Sequence, residues 1–149
     1  MLRELFGRKE HYRRLERMYQ KGDIHRIADC RIEVSKGRAE VVLPANERWD
    51  RKSQALNGAM YFKVMDAAAF FAASSVERKV YVQTTSFSLN FLRPVASGEI
   101  RAVGRLVRVS KSELVAEAEA FNRDGQLVAR GSGTFVRGKI QLGPEVGYE

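Results

Sequence analysis

Only one cysteine, Cys30, stands in the 149 residues, so no disulfide can form within the chain and any fold must rest on a packed core. Three prolines and the lack of any low-complexity tract argue against disorder outside the ends. No basic-then-apolar segment opens the sequence at Met1, and together with the lone thiol this sets the expectation of a reducing, cytoplasmic location. The two histidines, His11 and His25, lie in polar segments without the cysteine or carboxylate spacing of a metal site, so no metal is expected. The sequence also has no long apolar run free of charge. Its greasiest stretch, "LNGAMYFKVMDAAAFFAASS" at 56–75, carries Lys63 and Asp66 near its centre, each expensive in lipid. A buried helix fits that stretch, and no membrane span is expected.

What is present suits one domain, 1–149, long enough to bury a real core. Lysine and arginine number 26 against 18 acids, a formal charge of +8. Part of the excess lies in "GRKEHYRRLERMYQK" and part in the second half, at Arg93, Arg101, Arg105, Arg108, Arg123, Arg130, Arg137 and Lys139. Such a balance favours polyanions: nucleic acid, acidic headgroups or a phosphate-rich small molecule. It does not choose among them, and simple solubilising charge is an equal alternative. Acids mixed into the first basic segment favour a solvated face there, and no DNA-reading module flanks the domain, so nucleic acid ranks last.

Periodicity divides the chain. From Leu2 to Gln20, Leu5, Tyr12, Leu15, Met18 and Tyr19 approximate helical spacing, predicting an amphipathic cover helix with Gly7 as a candidate break and Gly22 as the stop. "ADCRIEVSKGRAEVVLP" reads as a hairpin turning through Ser35 to Gly37. After a polar loop with Asn46, Trp49 and Asp50, a helix starts at about Ser53 or Asn57 and runs to about Ser75. Beyond Lys79 the period becomes two: Phe87, Leu89 and Phe91 on one face of a strand, Thr84, Ser86, Ser88 and Asn90 on the other. "GEIRAVGRLVRVS", "ELVAEAEAF" and "LVARGSGTFVRG" follow as antiparallel neighbours, with glycines 104, 131 and 133 serving close backbone approach. One long helix wrapped by a curved antiparallel sheet of about six strands, an α+β fold with an N-terminal cover helix, accommodates this order.

The order of elements, and the segments "LERMY", "NGAMYFKVMDAAAFFAA", "TTSFSLNFLRPVASGEIRAVGR" and "NRDGQLVARGSGTFVR", resemble the hotdog-fold thioesterases of the phenylacetic-acid-degradation (PaaI-like) family over roughly residues 12 to 140. In that family a His-Gly pair opens the central helix and an acid follows the glycine by eight positions. Here Asn57-Gly58 precedes Asp66, and Ala59 replaces the usual second glycine. The resemblance implies an acyl-coenzyme A substrate, with coenzyme A as part of that substrate and no separate cofactor. The Gly58 N–H would polarise the thioester carbonyl and Asp66 would activate water or attack directly. Thr84 matches the position whose hydroxyl orients that water, with Thr85 and Ser86 next in register.

Physical chemistry supplies a reason for these assignments. A helix start offers unpaired N–H groups and a positive dipole end, and glycine lets an oxygen approach. An aspartate among Met60, Phe62, Met65, Phe70 and Phe71 is partly desolvated, which raises its proton affinity. Eight helical residues rise about 12 Å, so Asp66 and Gly58 of one helix cannot touch one carbonyl. Antiparallel helices across a homodimer would bring Asp66 of one copy near Gly58 of the other, and the resemblance implies this arrangement, with a dimer of dimers as the larger form.

Each assignment has a plainer rival. Asp66 at spacing three from Lys63 suits an intrahelical ion pair, and Asn57 suits a helix cap, compatible with a role at the site. Thr84 suits an ordinary strand position. Gln54 offers an amide to the acyl site or sits in a solvated loop. Met60 and Met65 line an apolar tunnel or belong to the core. Arg93, Arg105 and Arg108 are candidates for the coenzyme A phosphates, as are Arg130 and Arg137, or are surface charges. Three functions stay open: an acyl-CoA thioesterase, a non-catalytic acyl or acyl-CoA binding protein, and a nucleic-acid-binding regulator.

Overall fold

The computed structural model describes residues 1–22, 28–46 and 56–149. Among these the elements are α1 (Leu2–Lys21), β1 (Arg31–Ser35), β2 (Arg38–Leu43), α2 (Gly58–Ser74), β3 (Val80–Phe91), β4 (Ile100–Val109), β5 (Leu114–Phe121) and β6 (Leu127–Gln141), then a 3-10 turn at Pro144–Val146. The six strands form one sheet in the order β1-β2-β4-β5-β6-β3, every pair antiparallel. The sheet curves around α2, giving the hotdog fold. The loop with Trp49 and Asp50, the earlier helix start at Ser53, and Gln54 all lie outside the described residues.

Helix α2 is apolar nearly all round, which suits a helix buried on most of its circumference. Val64, Met65, Ala68, Ala69, Ala72 and Ala73 are fully buried against the sheet. Burying a side chain the size of Val64 or Met65 stabilises by roughly 1.5–3 kcal/mol. The alanines let the helix lie close, and at Gly104 of β4 backbone meets backbone: a Cβ there would stand 2.1 Å from the Ala68 carbonyl oxygen. Ser75 ends α2 and ties it to the first hairpin, its Oγ donating to Ala72 O (2.7 Å) and accepting from Gly37 N–H (2.8 Å).

Helix α1 runs through Gly7 without a break. His11, Leu15, Met18 and Tyr19, at positions i, i+4, i+7 and i+8, form its buried stripe. His11, expected in a polar setting, is 2% exposed. Its Nδ1 lies 2.7 Å from Tyr148 Oη and its Nε2 3.1 Å from Ser74 O, so it joins α1 to the end of α2 and to the C-terminal segment. Glu16 accepts from the Val34 N–H (2.9 Å), which covers part of the edge strand β1. The opposite edge, β3, has no such cover among the described residues.

Two register shifts interrupt β3, one between Val80 and Val82 and one between Thr84 and Ser86. At the first, Tyr81 alone stands against three residues of β6, Gly138 to Ile140; the second inserts one unpaired residue into β3, Thr85. The strict alternation expected through this strand is therefore broken: Thr84 and Phe87, three residues apart, both face α2, Thr84 toward Asp66 and Phe87 edge-on to Phe62 at 5.3 Å. Among the described residues no helix is long and apolar enough to cross a membrane.

Candidate active site

Helix α2 turns a narrow stripe toward the edge strand β3 and the end of α1: Ala59, Phe62, Lys63 and Asp66, within two turns of one another. The stripe, the first half of β3 and the end of α1 enclose a cleft of about 1260 Å³. Phe62, Phe70 and Phe71 from α2 and Tyr81 from β3 supply its apolar wall. Met18 and Tyr19 of α1 face them, and Glu145 to Gly147 close the rim from the C-terminal segment.

Asp66 lies in this cleft with Thr84, whose Oγ1 donates to Asp66 Oδ1 at 3.2 Å. Burial pushes the Asp66 carboxyl above its ordinary value of 3.8, and the Thr84 hydrogen bond offsets part of the rise. Thr85, the bulge residue, turns its hydroxyl to Thr134 O (3.0 Å) and so leaves the carboxylate to Thr84. Tyr81 packs its ring on Phe70 at 5.6 Å, and its hydroxyl is pushed up by burial and by the Asp66 charge. The ion pair at spacing three is not made: Lys63 turns its Nζ to Tyr19 Oη (3.3 Å), with Nζ 5.2 Å from the centre of that ring. Burial lowers the Lys63 proton affinity.

At the far end of the stripe, Asn57 caps α2. Its Oδ1 accepts from the Ala59 N–H (3.0 Å) and its carbonyl accepts from the Met60 N–H (2.9 Å). Nothing among the described residues accepts from the Gly58 N–H. The ring of Phe91 stands beside that glycine, 3.1 Å from where a Cβ would be. Asp66 and Gly58 are two helical turns apart, about 12 Å along the axis, and one copy of the chain does not bring them together.

The remaining candidates are dispersed. Met65 is fully buried and Met60 partly buried against the core; neither lines the cleft, because both turn toward the sheet side of α2. Arg93 is exposed just past β3, held by its backbone N–H on Val128 O (3.1 Å). Arg105 follows Gly104, whose α-carbon faces α2, so it projects from the outer side of the sheet, between Arg38 and Glu117 in register. Arg108 is exposed, 3.8 Å from Glu113. Neither β4 arginine reaches the cleft of its own copy, since three strand positions separate β4 from β3. Spacing puts Phe91 on a strand face without a role at the site and gives none to Tyr81 or the tail residues; the register shifts beside Tyr81 and Thr84 leave no simple mark in the sequence.

A six-stranded antiparallel sheet curved around one long helix is the hotdog architecture. The chain belongs to the Thioesterase superfamily, whose model matches residues 54–129. It is 30% identical over 131 residues to a candidate esterase of Saccharolobus solfataricus, an alignment spanning 85% of this chain and 94% of that protein. Among solved structures, a conserved protein of Pseudomonas aeruginosa is 31% identical with a TM-score of 0.72, covering 81% of this chain and 98% of that one. The PaaI protein from the phenylacetic acid degradation operon of E. coli shares the fold at a TM-score of 0.80 and 20% identity, over 89% of this chain and 96% of its own.

Proposed function

We propose that the chain is an acyl-CoA thioesterase that works as a homodimer. The observation that carries this is Asp66, a carboxylate of raised proton affinity in an aromatic cleft, oriented by the Thr84 hydroxyl at 3.2 Å. Asp66 takes a proton from water as the water oxygen adds to the thioester carbon. The carbonyl oxygen gains charge against the Gly58 N–H at the helix start of the partner copy. The carbon–sulfur bond then breaks, the sulfur takes the proton from Asp66 and leaves as the coenzyme A thiol, and the acyl group is released as the acid with the Asp66 carboxylate restored. Coenzyme A is part of the substrate, and no separate cofactor enters. Gln54 lies outside the described residues.

The separation of Asp66 from Gly58 within one copy, about 12 Å, is the reason for proposing a dimer. Gly58 meets Phe91 at one end of the site and Asp66 meets Thr84 at the other, so α2 and β3 run in opposite directions through it. A twofold axis between the two ends sets the acid end of each copy against the amide end of the other. Phe62, Phe91 and Leu92, at 44%, 58% and 52% exposure, and the open edge of β3 supply an apolar, hydrogen-bonding surface for this contact. Arg93, Arg105 and Arg108 are the cations proposed for the phosphates of coenzyme A. The single free thiol, Cys30, is buried and suits a reducing, cytoplasmic setting.

Thiol release from a broad panel of aliphatic and aromatic acyl-CoA thioesters, measured on wild type and Asp66→Asn side by side, tests the assignment. We expect turnover of at least one thioester and a loss of about a hundredfold or more in Asp66→Asn, about 3 kcal/mol in barrier. Equal rates for the two proteins would remove Asp66 as the base. Thermal stabilisation by acyl-CoA without any turnover would replace the enzyme with a binding protein.

A further inference from the structure

We infer that Phe91 is a positioning residue of the thioester reaction, its ring forming the side wall of the Gly58 amide and keeping water from the oxygen held there. The inference rests on the thioesterase reading and concerns a residue which that reading gives no role in the chemistry.

A Cβ built at Gly58 would meet three atoms of the Phe91 ring, at 3.1, 3.6 and 3.9 Å. The ring therefore crowds the space that a side chain at position 58 would take, and would have to give by a few tenths of an ångström to admit one. Phe91 is held in place by Tyr61, edge-on at 5.4 Å and 88°, and Tyr61 is itself 3% exposed. Phe91 keeps 58% of its surface open, so within one copy its burial is a weak reason for its position.

Direction decides what the ring can do. At the first turn of a helix the Cα–Cβ bonds point outward with a tilt toward the N-terminus, while the unpaired N–H groups point along the axis. A ring 3.1 Å beyond the Cβ position thus stands beside the Gly58 N–H without plugging it. Of the first three N–H groups of α2, Ala59 donates to Asn57 Oδ1 and Met60 to Asn57 O, which leaves Gly58 as the donor without an acceptor among the described residues. Water competing for that donor weakens its bond to the developing oxyanion, and an apolar wall on one side reduces the competition.

Steady-state kinetics on the thioester that wild type hydrolyses fastest, for wild type, Phe91→Ala, Phe91→Leu and Asp66→Asn, test this, with elution volume and thermal midpoint recorded for each. Removing an oxyanion donor costs about a hundredfold or more, and hydrating one costs less, so kcat should fall roughly tenfold in Phe91→Ala with KM within about threefold. Phe91→Leu, which restores an apolar wall, should recover most of the loss. A kcat for Phe91→Ala within about twofold of wild type, beside a crippled Asp66→Asn, overturns the inference and leaves the thioesterase reading intact. Loss of kcat only together with loss of the wild-type assembly, in both Phe91 variants, overturns it in favour of a packing role. Equal turnover of wild type and Asp66→Asn sinks the reading beneath it and the inference as well.

Discussion

Replacing Gly104 by alanine puts a methyl carbon 2.1 Å from the Ala68 carbonyl oxygen, 2.2 Å from its carbon and 2.6 Å from the Ala69 nitrogen. Real Cβ atoms keep about 3.0 Å or more, so α2 must retreat from the sheet by about 0.9 Å or β4 must buckle. Both partners are backbone in regular elements, and no rotamer change relieves the clash. Overpacking of this kind costs typically 1–3 kcal/mol, and we expect the upper end, about 3 kcal/mol, because the retreat also loosens the contacts of Met65, Ala69 and Ala72. For a chain of this size, that is a fall of roughly 6–12 °C in Tm. The assay is thermal unfolding by circular dichroism, with Gly143→Ala as control, since Gly143 is extended at φ −177° and has nothing within 4 Å of its Cβ site. A Gly104→Ala midpoint within about 2 °C of wild type and of this control would refute the close contact as the reason for glycine.

The raised Asp66 proton affinity makes a signed prediction: between the unfolded and folded pKa the folded state binds more protons, so this group stabilises most below the unfolded value and the contribution is lost as pH rises through the folded one. Asp66→Asn should therefore melt above wild type at pH 7, with the gap closing below about pH 4; a gap that widens in acid contradicts it. Thr84→Val removes a hydrogen bond that favours the ionised carboxylate, so the acid limb of the rate profile should move to higher pH, and Thr84→Ser should restore it. Asn57→Ala loses the cap on Ala59, at a cost of about 1 kcal/mol in chemical denaturation, and Asn57→Ser should recover most of it.

Much of the fold was legible because its signals are local. The strand periods, the Lys36-Gly37 turn and the apolar run at 56–75 each act within a few residues, and the asparagine that opens α2 is a preferred cap. Gly7 misled because a single glycine costs a helix only about 1 kcal/mol, and the packing of Leu15, Met18 and Tyr19 outweighs it. The site was legible only in part. Asp66 stands out as a carboxylate in an apolar helix, but its partner depends on the bulge at Thr85, and a pattern of period two assigns Thr84 and Phe87 to opposite faces. His11 reads as polar from its neighbours and is buried because α2 and the C-terminal segment, distant in sequence, converge on it. The same distance hides the rim at Glu145 to Gly147.

The two walls of the cleft differ in how they are fastened. The wall with Asp66 is pressed backbone to backbone onto β4 and has no slack. The facing wall is α1 and the tail, clasped through His11, Tyr148 and the pairing of Lys21 with Glu149. A lineage adapting this chain to a bulkier or smaller acyl group is thus free to vary one side alone: divergence should collect along Met18 to Gly22 and Glu145 to Gly147, while the alanines beneath Asp66 stay constant.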